Sequence, residues 1–118
     1  MYKIVRADEI EWNQPAENSP GAFSKVLVDP GCAETKHLNF RLINYLPGSA
    51  ATPHSHDEAE NVFYVIQGRG LAILDGDRIP IQPGTLVFIP PKVEHAVINT
   101  GEQNLIMVFV ASPPALFG

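Results

Sequence analysis

The stretch Gly48–Gly68, GSAATPHSHDEAENVFYVIQG, places two histidines one residue apart at the mouth of an apolar, β-prone run. In extended chain the side chains of residues i and i+2 point the same way, so His54 and His56 present two imidazoles to one point. After the acidic loop Asp57-Glu58-Ala59, Glu60 and Asn61 open the strand-like run Val62 to Gln67 and bring an oxygen donor near both rings. His95, in PPKVEHAVIN, stands at the head of another alternating run, Ala96 to Asn99. Two such runs lying side by side in a sheet would gather three histidines and an oxygen ligand, a donor set suited to a transition metal that keeps a position open.

The spacing in this stretch resembles that of the cupin family. Gly48, His54-Ser55-His56, Glu60 or Asn61, and Gly68 follow its first motif; Gly84, Pro90-Pro91-Lys92, His95 and Asn99 follow its second, with every interval kept. The resemblance implies a single all-β domain built as a double-stranded β-helix, a jelly-roll-like barrel. It also implies a metal held by His54, His56 and His95. Two departures stand out. Lys92 replaces the usual turn glycine and predicts a slightly different turn. Counting back from Gly68 puts Asn61 at the glutamate position, whereas counting forward from His56 puts Glu60 there. With Asn61 inward the site is three neutral imidazoles and an amide oxygen. With a bulge turning Glu60 inward it gains a carboxylate. Asn61 is the positional equivalent and is taken as the fourth metal ligand, with Glu60 nearby as a base or alternative ligand.

Composition narrows the function classes. A chain of 118 residues fits one domain. We divide it into an N-terminal arm over 1–20, a barrel over 22–111 and an irregular tail over 112–118. Net charge is -5 and the eight Lys and Arg residues are scattered, so there is no basic stripe to follow phosphates and no nucleic-acid partner is expected. No apolar run is long enough for a bilayer and the N-terminus lacks the apolar core of a signal peptide, so no membrane partner and a cytoplasmic location are expected. The single cysteine, Cys32, reads as a loop thiol.

Strands are predicted at Ala22–Val28, Leu38–Leu46, Val62–Gln67, Leu71–Leu74, a return strand containing Pro80, Thr85–Ile89, Ala96–Asn99 and Leu105–Ala111, punctuated by glycine and proline turns. Asp75-Gly76 is a two-residue hairpin signal, and Pro80 puts its strand at an edge or a bulge. Several strands are apolar on both faces, so one face fills the barrel and the other needs cover. Cover by a second subunit predicts a homodimer.

Arg41, Ile43 and Tyr45 share one face of their strand. If it faces inward, Arg41 suits a substrate carboxylate; the opposite face, Phe40 and Leu42, makes an equally good core. Phe63, Phe88, Met107 and Phe109 are core fillers, and whichever faces the metal shapes an apolar pocket. Gln67 is expected at the mouth, and His37, Glu58 and Glu94 in solvent. These residues point to one divalent transition metal per chain, with Fe, Mn, Ni, Zn and Cu all compatible. The expected activity is that of a metal-dependent enzyme on a small organic molecule, with Glu60 and Tyr64 as the available acid and base groups. Dioxygenation follows from three neutral histidines, and isomerase or lyase chemistry from an inward Glu60. A non-catalytic ligand-binding or storage protein is the alternative.

Overall fold

The computed structural model describes residues 2–15, 19–31 and 35–114; Cys32 and the last four residues of the predicted tail lie outside them. Eight strands follow one another: β1 (Ala22–Val28), β2 (Asn39–Tyr45), β3 (Glu60–Gln67), β4 (Gly70–Leu74), β5 (Asp77–Ile81), β6 (Leu86–Ile89), β7 (His95–Asn99) and β8 (Leu105–Ser112). They form two antiparallel sheets, a five-stranded one in the order β1-β2-β8-β3-β6 and a three-stranded one in the order β5-β4-β7. This is the predicted all-β, jelly-roll-like architecture. No helix among the described residues is long and apolar enough to cross a membrane.

Turn chemistry sets the boundaries. Asp75 and Gly76 both have positive φ (48° and 88°) and close the β4–β5 hairpin with Leu74 opposite Asp77. That backbone matches the right-handed twist of the flanking strands. Pro80 lies on β5, an edge strand, where its missing N–H leaves no ladder bond unmade. Gly68, φ +87°, packs so tightly that a Cβ there would stand 2.5 Å from the Asn104 carbonyl oxygen.

The expectation of an altered turn at Lys92 is corrected. Lys92 takes φ 72°, the conformation natural to glycine, at a cost of about 1–2 kcal/mol for an L-residue. What holds it there is its amide, which donates to the His56 carbonyl at 2.6 Å and ties the turn to the histidine loop.

Register decides which residues share a face. Across the inner face of the large sheet one row runs Arg41, Phe109, Phe63, Val87 and the next Asn39, Ala111, Asn61, Ile89. Val65, Leu105 and Met107, in the neighbouring rows of the same face, are fully buried. The outer face carries rows of Phe40, Val110, Val62, Phe88 and of Leu42, Val108, Tyr64, Leu86. Both faces of β3 and β8 are therefore apolar, as the sequence requires. The question left open for β2 is settled: Arg41, Ile43 and Tyr45 face inward, and Phe40 and Leu42 face outward.

Asn99 joins the two sheets. Its side-chain amide donates to the Tyr45 carbonyl at 2.8 Å and to the Gln103 carbonyl at 2.9 Å, and its Oδ1 accepts from the Gly101 amide at 2.9 Å.

The N-terminal arm contains a short 3-10 turn, Ala7–Glu9. Lys25 on β1 fastens it, donating from Nζ to the Ala7 carbonyl at 2.8 Å and lying 4.8 Å from the centre of the Trp12 ring. The Asn13 amide then donates to the Ser24 carbonyl at 2.7 Å.

Candidate metal centre

His54 and His95 are brought together by their own backbones. Each amide donates to the other's carbonyl, at 3.0 and 2.8 Å, forming an isolated antiparallel bridge. With the Lys92–His56 bond, this bridge lays the loop carrying both early histidines along the entry to β7. The ring centroids stand 5.2 Å apart for His54–His56, 4.3 Å for His54–His95 and 5.5 Å for His56–His95. One ligand atom from each lies within 4.8 Å of the others.

Two rings are fixed in the same tautomer. Nδ1 of His54 lies 3.0 Å from the Thr52 carbonyl oxygen, and Nδ1 of His95 lies 3.0 Å from that of Val93. A carbonyl only accepts, so each Nδ1 carries the proton and each Nε2 presents a lone pair. Donation from the far nitrogen to a backbone carbonyl is how metal-binding histidines are oriented. Burial lowers the pKa of His56, helped by the charge of His54. Burial also lowers that of His95; the Val93 bond opposes this, while the charges of His54 and His56 add to it. Both shifts favour the neutral, ligating form.

Asn61 lies against His95. It is 1% exposed, with Nδ2 3.5 Å from His95 Nε2, and its Oδ1 is buried without a hydrogen-bond partner. Such an orphan costs about 1–3 kcal/mol. Turning the amide over exchanges its two ends and directs a neutral oxygen at the cluster. The residues therefore fit a metal: three imidazoles, two with lone pairs held ready, and a buried amide in need of a partner.

Glu60 and Tyr64 are placed elsewhere. β3 pairs regularly with β8 from Glu60 through Val65, and its one register shift comes after Val65. No bulge turns Glu60 inward, and alternation sends Glu60 and Tyr64 to the opposite face from Asn61 and Phe63. Both are exposed, so neither side chain reaches the imidazoles. Gln67 does not line the mouth either; its Nε2 donates to the Asn104 carbonyl at 3.2 Å. His37, Glu58 and Glu94 are exposed, as expected.

His54 and His56 open onto a cavity of about 300 Å³ whose walls include Arg41, Ile43, Tyr45, Phe63 and Phe109. Phe63 stands 6.2 Å from His95 and 5.4 Å from Phe109, centre to centre. Of the four predicted fillers, Phe63 and Phe109 shape the pocket, Met107 is fully buried on the same inner face between Ile43 and Val65, and Phe88 is on the outside. Burial pushes the Tyr45 phenol up to about 12, so it stays protonated and can only donate or accept a hydrogen bond. Asn13, Gln14 and Ser19 of the arm complete the wall. Sequence reasoning missed them, because a polar arm segment carries no periodic signal that it faces a cavity.

Comparison with known proteins agrees with this geometry. The cupin-domain family model matches residues 41–111. An uncharacterized protein of Methanocaldococcus jannaschii is 34% identical over 95% of this chain and 89% of its own length. The protein named polyketide synthase CurC, from Streptomyces cyaneus, is 35% identical over 96% of this chain and 71% of its own. Among solved structures, KdgF from Halomonas sp. superposes with a TM-score of 0.85 at 22% identity, covering 98% of this chain and 96% of that one. With both histidine motifs inside the matched region and the strands arranged as that family requires, the chain belongs to the cupin family.

Proposed function

We infer that the protein is a mononuclear metal-dependent enzyme acting on a small organic substrate. The observation that carries this is three imidazoles with ligand atoms within 4.8 Å of one another, two of which, His54 and His56, line an apolar cavity. His54, His56 and His95 would hold one divalent transition metal, with Asn61 supplying an uncharged oxygen. Such a metal supplies Lewis acidity toward substrate oxygens and, if it is iron, oxygen chemistry.

The chain's own residues choose among reaction types. Phe63, Phe109 and Ile43 exclude water from the substrate's body, and Tyr45 offers a phenol that remains protonated. No Asp or Glu is among the described residues that line the cavity. Isomerase and lyase chemistry needs a group to carry a proton, so the neutral donor set favours dioxygenation. The absence of a carboxylate base among those residues also supports a second reading, a protein that binds a small molecule without turning it over.

An oxygen electrode separates the two. Iron-loaded protein offered a panel of small chelating organic acids and enediols should take up oxygen with at least one of them, and His54→Ala protein should not. Thermal stabilisation by a panel member, with neither oxygen uptake nor product, would favour the binding reading.

Tyr64 belongs to an exposed apolar patch. On the outer face of the large sheet, Leu86 is 58%, Phe88 51%, Ile66 48% and Tyr64 43% exposed. An antiparallel sheet facing water ordinarily alternates apolar with polar residues, and large apolar patches mark contact sites. We propose that a second copy covers this face in a homodimer. Light scattering on wild-type protein should give twice the chain mass, and L86E/F88E protein the chain mass. A wild-type monomer would refute the pairing.

A further inference from the structure

The cavity has two chemically different ends. On the inner face of the large sheet Arg41 lies beside Phe109, and Phe109 beside Phe63. Phe63 in turn stands against His95, 6.2 Å away between ring centres. Adjacent strands are about 4.8 Å apart, so the backbones at Arg41 and Phe63 are about 10 Å apart. The floor between them is aromatic, with the Phe63 and Phe109 rings 5.4 Å apart and inclined by 36°. Arg41, both phenylalanines, His54 and His56 all line the same cavity.

An arginine in such a wall has a physical cost and a physical use. Burial lowers its pKa, while Asp29, which is not a lining residue, opposes the shift. Asn39 Oδ1 accepts from its Nε at 3.4 Å. A guanidinium carries five N–H donors in a planar fork, so it can serve several acceptors at once and matches a carboxylate with two parallel bonds. Aromatic rings beneath favour a flat, unsaturated body.

Resting on the metal reading given above, we propose that the natural ligand is a small organic anion in three parts. Two chelating oxygens sit at the histidine site, a flat apolar body lies over Phe63 and Phe109, and a carboxylate meets Arg41 at the far end. Arg41 thereby selects for charge at a distance from the reacting atoms, and the aromatic floor sets the length of the molecule at about two strand spacings.

Two catechols that differ in the far group test this. Dihydrocaffeate carries a carboxylate tail and ethylcatechol a neutral one. Both are titrated by calorimetry into zinc-loaded protein, zinc being redox-silent. Dihydrocaffeate should bind about tenfold or more tighter, the effect of a charge-assisted hydrogen-bonded pair. Arg41→Met should erase that preference while leaving zinc content and ethylcatechol affinity unchanged. Arg41→Lys, which keeps the charge and loses the fork, should retain part of it, and it provides the reading if the methionine variant does not fold. Equal affinities in wild type, a preference that survives in Arg41→Met, or no binding of either probe by protein that holds zinc would overturn the proposal. Failure to take up zinc is seen before any probe is added; it sinks the metal reading, and the proposal with it.

Discussion

His95→Gln protein, purified without a metal-affinity tag, is expected to lose its metal. Elemental analysis should give close to one transition metal per wild-type chain and close to none in the variant, with affinity down by at least about 100-fold. Altering only the partners that orient metal ligands costs about 10–100-fold, and this change removes a ligand. His95 is the most consequential of the three because it is buried, its ring packs on Phe63 and its backbone pairs with His54. Glutamine retains much of the volume and the backbone amide, so the far-ultraviolet spectrum should not change. A variant that keeps its metal would remove His95 from the site.

Acid should act in the same direction. Burial first, and His54 second, hold His56 below the ordinary 6.5, and His95 is held below it chiefly by burial. Native-state values beneath the unfolded value mean that the unfolded chain binds more protons in the interval between them. Stability from these rings is therefore fully present above pH 6.5 and is lost as pH falls through the native values. Metal affinity should fall as pH drops through and below those native values, because protonated imidazole cannot ligate.

The largest expected loss of stability away from the metal comes from Asn99→Ala. The variant deprives the Tyr45 and Gln103 carbonyls of their donor and the Gly101 amide of its acceptor. Water can reach part of this cluster, but the bond to the Tyr45 carbonyl is buried. Stranding buried groups of this kind costs about 1–3 kcal/mol each, so a total of about 2–4 kcal/mol is expected, read as a lowered urea midpoint with an unchanged slope. Metal content measured at low temperature should be unaffected. A loss under about 0.5 kcal/mol, the usual effect of a surface change, would show that the bridge between the sheets does not hold them together.

Much of this site can be read from residue order, and the rest depends on which way particular strands face. Glycine, proline and Asp-Gly punctuation sets off all eight strands, because turn geometry is local. The His54–His56 pair can be read for the same reason: alternation in extended chain puts both rings on one side. Counting from Gly68 identifies Asn61, and regular pairing of β3 with β8 leaves Glu60 outside. Strand β2 resists such reading. Phe40 and Leu42 oppose Arg41, Ile43 and Tyr45, both sets can be packed, and a period of two cannot choose between faces that each have somewhere to go. Only pairing with β8, which puts Arg41 level with Phe109, decides it. Lys92 shows the opposite limit, since a long-range hydrogen bond to His56 imposes a backbone that local preference resists.

Pro80 bears on how copies of the chain can meet. The small sheet ends at β5, where Pro80 offers no amide and Asp77 and Arg78 are exposed charges; its opposite border, β7, is occupied by the bridges from Ala50 and His54. Neither border invites a further strand. Edge-to-edge addition is the route by which sheets grow into open-ended fibres, and this sheet is blocked against it on both sides. Contact through a flat face can instead close on a twofold axis and stop, so an apolar exterior need not make the protein prone to aggregate.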